Sequence, residues 1–203
     1  MRRTFELCIL LLLALSLAAC GGDKEAKKKD AYKPVIKAVP TLRVERTEDG
    51  LVIKRFDGDA DGRPDIVKTF KEIADPDDPT TKVEKIQKME IDVNLDGRFD
   101  IVRLYNLRGT LDEERTDTNF DGTFDLISRF DNGKLTKKEV LSEGDNQKVL
   151  IHRYYANNKI LRIERDRSGN GKIDYWEYFD DGVLSRIGRD FDGDGRADSW
   201  QRK

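Results

Sequence analysis

Cysteine, histidine and methionine are nearly absent from this chain. Its 203 residues include two cysteines, one histidine and two methionines. Both cysteines, Cys8 and Cys20, lie within the first 20 residues, so the rest of the chain offers none for a zinc site built from cysteine and histidine or for a cysteine nucleophile. There is also no glycine-rich phosphate loop placed between a strand and a helix. The sequence therefore predicts a protein that is not an enzyme.

Apolar residues are scarce relative to charged ones. Hydrophobic residues make up 37% of the chain and Asp, Glu, Lys and Arg 38%, against a usual charged fraction of about 25%. Because burial contributes only about 25 cal/mol per Å² of apolar surface, such a chain cannot build a thick core. The net charge of −2 provides no basic field for nucleic acid, so no nucleic-acid partner is expected.

Part of the apolar content forms one block near the N-terminus. Arg2 and Arg3 precede an apolar run over residues 8–17, and two small residues, Ala18 and Ala19, follow it. This order is typical of a secretory signal peptide, and the run is too short for a comfortable membrane span. We therefore interpret residues 1–19 as an export signal.

Residues 17–20, with the sequence LAAC, resemble the bacterial lipobox. The resemblance implies a lipoprotein: cleavage before Cys20, then lipidation of Cys20 with acyl chains such as palmitate, which anchor the protein to a membrane. Gly21 follows the cysteine, and the sorting rule of enteric lipoproteins then implies the outer membrane of the cell envelope, with the periplasmic or surface face left open. The alternative is an ordinary signal peptide in which Cys20 is incidental.

The segment after the cysteine predicts a tether. Residues 21–40 contain six Lys against three acidic residues, together with Gly and Pro, and show no periodic apolar face. We therefore divide the chain into the signal peptide 1–19, a lipidated cysteine with a flexible basic tether over 20–40, and a domain over 41–203.

The domain contains an internal repeat. The nine-residue pattern D-x-[D/N/S]-x-[D/N]-G-x-x-D occurs at 57–65 (loop 1), 92–100 (loop 2), 117–125 (loop 3), 166–174 (loop 4) and 190–198 (loop 5). A second motif, an aromatic residue, a polar turn and an aliphatic residue, follows in step. It also reveals a decayed sixth loop beginning at Ser142, which restores a period of 24–25 residues. Residues 73–82 account for the wider first interval.

The segments between the loops predict short strands. β-prone runs follow four loops, and runs of about six residues follow polar turns such as Asn132-Gly133 and Asp181-Gly182, which is typical of hairpins. The first set is 66–70, 101–105, 126–130 and 175–179, and the second is 111–116, 135–140, 160–165 and 184–189. The fold class predicted is all-β, an antiparallel meander of hairpin repeats of about 24–25 residues joined by the Asp-rich loops.

The spacing of oxygen-bearing side chains in the loops predicts calcium. Carboxylates this close together repel one another unless a cation lies among them. Oxygens at positions 1, 3, 5 and 9, a carbonyl at position 7 and a Gly at the sharp turn fit the irregular shell of Ca²⁺ better than the strict octahedron of Mg²⁺. The candidate side-chain ligands are Asp57, Asp59, Asp61, Asp65, Asp92, Asn94, Asp96, Asp100, Asp117, Asn119, Asp121, Asp125, Asp166, Ser168, Asn170, Asp174, Glu177, Asp190, Asp192, Asp194 and Asp198.

These loops resemble the calcium loops of EF-hand, dockerin and thrombospondin type 3 proteins, over five nine-residue segments. Loop 4 alone extends to the full EF-hand form, with Glu177 at position 12. The other loops carry Lys68, Arg103, Ser128 and Gln201 there, and none leaves room for flanking helices. The resemblance therefore implies calcium binding without a helical EF-hand domain, with the affinity of extracellular modules, roughly 10⁻⁴–10⁻³ M.

Alternatives remain open at this stage. The loops can instead be Asx-rich turns closed by their own hydrogen bonds or by neighbouring basic side chains. The leading function is a lipid-anchored, calcium-binding envelope protein with a structural or interaction role. The alternative is a recognition module for a glycan or an envelope protein, using Tyr175, Trp176 and Trp200, with calcium only as scaffold. A hydrolase using clustered Asp is a third, less favoured class, and His152 is interpreted as a strand residue.

Overall fold

The computed structural model describes residues 41–144 and 147–203. The predicted signal peptide 1–19, the lipidation site Cys20 and the predicted tether 21–40 lie outside the described residues. Within the part that is described, no helix has the length and apolarity needed to cross a membrane.

In the described part of the chain, thirteen antiparallel strands form one sheet in which every strand pairs with its sequence neighbours. This arrangement confirms the all-β meander predicted from the repeat. The strands are β1 (Thr41–Arg46), β2 (Leu51–Phe56), β3 (Ile66–Ala74), β4 (Lys82–Ile91), β5 (Ile101–Tyr105), β6 (Leu111–Thr116), β7 (Leu126–Asp131), β8 (Lys134–Leu141), β9 (Val149–Ala156), β10 (Lys159–Arg165), β11 (Tyr175–Asp180), β12 (Val183–Arg189) and β13 (Ser199–Arg202).

Successive connections of a meander alternate between the two ends of its strands. All five Asp-rich loops and the decayed loop after β8 therefore lie at one end of the sheet, which we call the loop end. The tight hairpin turns lie at the opposite end, the turn end. Asn132-Gly133 and Asp181-Gly182 have positive φ at both residues, as the two-residue turns favoured in hairpins require. The repeat thus places the chemically similar loops side by side.

The longest hairpin explains the wide first interval of the repeat. Strand β3 has 9 residues and β4 has 10, so this pair extends further toward the turn end than its neighbours. The connection between them spans residues 75–81 and is closed by the Asp75 N–H donating to the Thr81 carbonyl at 3.0 Å. The extra residues therefore lengthen a hairpin and leave the spacing at the loop end unchanged.

The sheet is a single layer with a small core. Each strand packs against the strands beside it, and within the described residues no helix or second sheet covers either face. Among the residues that the structure describes, four hydrophobic side chains are buried: Val52, Val67, Ile163 and Ile187. Apolar burial is therefore limited, as the composition predicted.

Lateral ion pairs connect neighbouring strands where apolar packing is thin. Glu113 on β6 pairs with Arg129 on β7, and Arg129 reaches Glu139 on β8 at 3.1 Å. Arg115 and Lys137 extend this row, each with one carboxylate at 2.7 Å. An isolated exposed pair contributes about 0–1 kcal/mol, whereas a connected row on half-buried side chains contributes more consistently. Much of the 38% charged fraction is thus available for cross-strand pairing.

Candidate metal-binding loops

The five loops share one backbone conformation. Position 4 has a positive φ in every loop, and position 6, always glycine, has φ between 90° and 92°. Only glycine adopts that conformation without strain, which explains why position 6 is glycine in every copy. The position-4 residues are Ala60, Leu95, Phe120, Gly169 and Gly193, and the position-6 residues are Gly62, Gly97, Gly122, Gly171 and Gly195.

The first Asp of each loop accepts hydrogen bonds from the loop backbone. In loop 2, the two carboxylate oxygens of Asp92 accept the N–H groups of Leu95 and Gly97, both at 2.7 Å. The same two bonds, from positions 4 and 6, occur in the other loops at 2.6–3.0 Å. Asp92 is only 5% exposed and Asp117 only 3%. These carboxylates therefore organise the turn from inside it.

The ninth residue closes the base of each loop. The Asp100 carboxylate accepts the N–H of Val93 at 2.7 Å, and the Asp100 N–H donates to the carbonyl of Ile91 at 2.9 Å. Equivalent contacts recur at Asp65, Asp125, Asp174 and Asp198. The loops are thus closed by their own hydrogen bonds, which is what the Asx-turn alternative predicted.

Positions 3 and 5 point their oxygens outward. In loop 1, Asp59 and Asp61 are exposed, and each accepts one N–H from two residues further on, at 3.0 and 2.7 Å. Asn94, Asn119 and Asn170 accept the same type of bond in other loops. An amide oxygen therefore satisfies the backbone at these positions as well as a carboxylate does, and the carboxylate charge is not needed to shape the turn.

Two loops bring three carboxylates to one point. Asp57, Asp59 and Asp61 in loop 1 each offer an oxygen within 4.8 Å of the others, and Asp190, Asp192 and Asp194 in loop 5 do the same. Oxygens bound to one Ca²⁺ at 2.3–2.6 Å are separated by up to about 5 Å, so this spacing suits one cation. A carboxylate has about four lone-pair sites and the loop N–H groups occupy two. Both Asp triads could hold a metal ion.

The remaining loops bring fewer carboxylates together. Loops 2 and 3 have Asn at position 3, and loop 4 has Ser168 and Asn170 at positions 3 and 5. The carboxylate of Glu177, at position 12, accepts a hydrogen bond from Arg165 at 3.2 Å on the adjacent strand β10. Within the described residues, no three-carboxylate cluster joins Glu177 to loop 4. The ligand sets of these loops stay a prediction from the sequence.

Hydrogen bonding keeps several loop carboxylates ionised. Burial raises the pKa of Asp166, but hydrogen bonds from Gly171, Ser168, Gly169 and Asn170 outweigh it and hold the pKa below the usual value. For Asp190 the same opposition between desolvation and backbone N–H donors also leaves the pKa lowered. These groups carry full negative charge at neutral pH, the state that binds a cation.

The basic side chains at position 7 contact the next loop along the sheet, an arrangement that the spacing within one loop does not predict. Lys172, at position 7 of loop 4, donates to the Gly193 carbonyl of loop 5 at 3.0 Å. The guanidinium of Arg63 in loop 1 lies so close to Gly97 in loop 2 that a Cβ there would be 2.9 Å from it, and Arg98 approaches Gly122 in loop 3 in the same way. The sequence signal for these contacts is the basic residue at position 7, which occurs in four of the five loops.

His152 lies among the charged side chains of the sheet. It is a strand residue of β9, as predicted, and its Nδ1 lies 3.3 Å from Glu139. Burial and the nearby Lys137 lower the pKa of His152, and this effect exceeds the opposing influence of Glu139 and Glu164. The imidazole is therefore mainly neutral at pH 7, and it lies beside the ion pairs that Glu139 forms with Arg129 and Lys137.

Comparison with known proteins identifies no family for this chain. No protein-family model matches the chain, and no curated protein matches it at a significant level.

Proposed function

We propose that the protein is a lipid-anchored component of a bacterial cell envelope that binds calcium through its Asp-rich loops and serves a structural or interaction role. The observation that supports calcium binding is the convergence of three carboxylates in loop 1 and again in loop 5. The proposed membrane attachment rests on a different observation, the LAAC sequence that ends in Cys20 after an apolar run.

Calcium suits these loops better than the other common cations. Every candidate ligand atom is an oxygen, whereas soft metals are bound by the sulfur ligands of cysteine-rich sites. Asp57 is nearly buried while Asp59 and Asp61 are exposed, so the ligand shell is one-sided and irregular. Ca²⁺ accepts such a shell and completes it with water or carbonyl oxygens, whereas Mg²⁺ requires near-ideal octahedral geometry.

The positions of the two triads suggest what calcium does. Loop 1 joins β2 to β3 and loop 5 joins β12 to β13, so the triads lie near the two outer strands of the meander. Outer strands pair on one side only and fray most readily. A cation that binds the folded loop but not the unfolded chain stabilises these regions. We therefore propose that calcium fastens both lateral margins of a sheet that has little core.

Calorimetric titration of the purified protein with CaCl₂ tests this function. The informative variants are Asp59→Asn with Asp61→Asn, and Asp192→Asn with Asp194→Asn. Asn already accepts the equivalent backbone hydrogen bonds in other loops, so the fold is preserved while ligand charge is removed. Each double variant should lose one calcium site per chain, and the two together should lose both.

Asp96→Asn in loop 2 is the matched control, because it removes one exposed carboxylate from a loop without a triad. It should leave the calcium sites of loops 1 and 5 in place. Calcium binding that is unchanged in both double variants, or lost equally in the Asp96→Asn control, would refute the assignment to loops 1 and 5. Equal binding of magnesium would refute the choice of metal.

A further inference from the structure

Cationic and aromatic side chains alternate across one face of the C-terminal half of the sheet. Tyr154, Arg162, Tyr178, Arg186 and Arg202 are successive cross-strand partners on β9 to β13. The Arg162 guanidinium lies 4.3 Å from the Tyr154 ring centre, and the Arg186 guanidinium lies 4.3 Å from that of Tyr178. We call these five residues, with Trp200, the Arg–aromatic row. It lies on the strands and not in the Asp-rich loops.

Trp200 completes the row at the outer strand because its partner has no side chain. Gly188 lies opposite Trp200, and a Cβ at Gly188 would be 2.8 Å from the indole ring. The indole therefore lies against the backbone of β12, 5.7 Å from Tyr178 between ring centres, with the Arg186 guanidinium 4.9 Å away. Trp200 remains 50% exposed. An aromatic surface held in this way is available to a ligand without rearrangement.

The exposed cations of this region have no carboxylate partners. Glu164 pairs with Arg162 at 3.0 Å, but within the described residues no carboxylate lies within 4.0 Å of the cationic groups of Arg186, Arg202 or Lys203. These three line a hollow of the surface together with Tyr178, Ser185 and Asp180. The corner where β11, β12 and β13 approach the turn end therefore carries excess positive charge beside aromatic rings.

We propose that the Arg–aromatic row is a binding surface for an acidic saccharide, a sugar chain that bears carboxylate or phosphate groups. The apolar face of a sugar ring packs on a fixed aromatic ring, and the planar guanidinium of an Arg donates two parallel hydrogen bonds to a carboxylate or a phosphate. A purely acidic peptide would use the cations but leave the aromatic faces uncovered. The proposal is independent of calcium binding, since no loop carboxylate belongs to the row.

Binding is measured with immobilised protein, at constant calcium, against four oligomers of matched length. Hyaluronate carries carboxylates, phosphorylated mannan carries phosphates, a maltodextrin is neutral and polyaspartate is acidic without sugar rings. At least one of the two acidic saccharides should bind, and the maltodextrin and polyaspartate should bind at least about tenfold more weakly, a difference of about 1.4 kcal/mol.

Three variants and a control locate the surface. Arg186→Gln and Trp200→Ala should each weaken binding of the acidic saccharide about tenfold, and Trp200→Phe should retain most of it because a ring remains. Arg43→Gln removes the same charge from β1, at the opposite margin of the sheet, and should have no effect. Circular dichroism confirms that each variant is folded, and calcium titration should be unchanged in all of them.

Four outcomes overturn the proposal. They are failure of both acidic saccharides to bind, polyaspartate binding as tightly as either of them, unchanged affinity in Arg186→Gln, and an equal loss in Arg43→Gln. Because calcium binding is measured on the same samples, failure of the saccharide surface is distinguishable from failure of the calcium sites.

Discussion

Replacing the first Asp of a loop should destabilise the protein even without metal. We choose Asp92→Ala in loop 2, because this loop has no carboxylate triad and its first Asp is only 5% exposed. Its carboxylate accepts the N–H groups of Leu95 and Gly97, both at 2.7 Å. Alanine removes both acceptors at once and leaves the two donors without a protein partner.

The expected loss follows from the two bonds. A hydrogen bond to a charged group contributes about 1.5–3 kcal/mol. Because the loop lies at the surface, water can reach the freed N–H groups and offset part of the loss, so we expect about 3 kcal/mol for the pair. Asp92→Asn keeps one acceptor oxygen but directs an amide donor at the second N–H, and it should cost about half as much.

Urea unfolding in EDTA, followed by circular dichroism, measures this difference. With a denaturant slope of about 2 kcal/mol per M, Asp92→Ala should lower the unfolding midpoint by about 1.5 M. The control is Asp96→Ala in the same loop, whose exposed carboxylate accepts one backbone N–H, from Arg98 at 2.9 Å. It should cost less than about 1 kcal/mol. Equal losses in the two variants would refute the view that the first Asp closes the loop from inside.

Two further predictions concern the strands. The lowered pKa of His152 means that the unfolded chain binds a proton at higher pH than the folded one, so the free energy of unfolding should fall as pH drops below about 6.5. His152→Gln should remove that part of the pH dependence in urea titrations, and an unchanged slope would contradict it. Gly188→Ala should cost about 1–3 kcal/mol through its clash with the Trp200 indole. Trp200→Ala should relieve most of this cost in a double-mutant cycle by thermal unfolding, and additive losses would show that the indole is not the obstacle.

The strand order could be predicted because local signals and the repeat agree. Short polar turns such as Asn132-Gly133 and Asp181-Gly182 favour the hairpins, and the Gly at position 6 favours the loop conformation, so each unit largely specifies its own conformation. Strands β3, β5, β7 and β11 begin where the pattern predicted, at Ile66, Ile101, Leu126 and Tyr175. A meander needs no long-range pairing information beyond this, because sequence neighbours are also neighbours in space.

Contacts between units could not be predicted in the same way. The contact of Lys172 with the Gly193 carbonyl and the contacts of Arg186 with the rings of Tyr178 and Trp200 depend on strand register and side-chain rotamer. Bulges shift that register, as between Tyr178 and Phe179, and a shift of one residue moves a side chain to the other face. Glu177 is an example: the spacing places it at position 12 of loop 4, whereas its contact with Arg165 depends on the pairing of β10 with β11.

The most direct test of the central claim is the thermal unfolding of the purified protein in CaCl₂ and in EDTA. At a free calcium concentration ten times the dissociation constant, each site adds about 1.4 kcal/mol to the free energy of unfolding. Two sites together should therefore raise the unfolding temperature by about 5–10 °C. The shift should disappear in a variant that combines Asp59→Asn and Asp61→Asn with Asp192→Asn and Asp194→Asn. Coincident unfolding curves in calcium and EDTA would contradict the account.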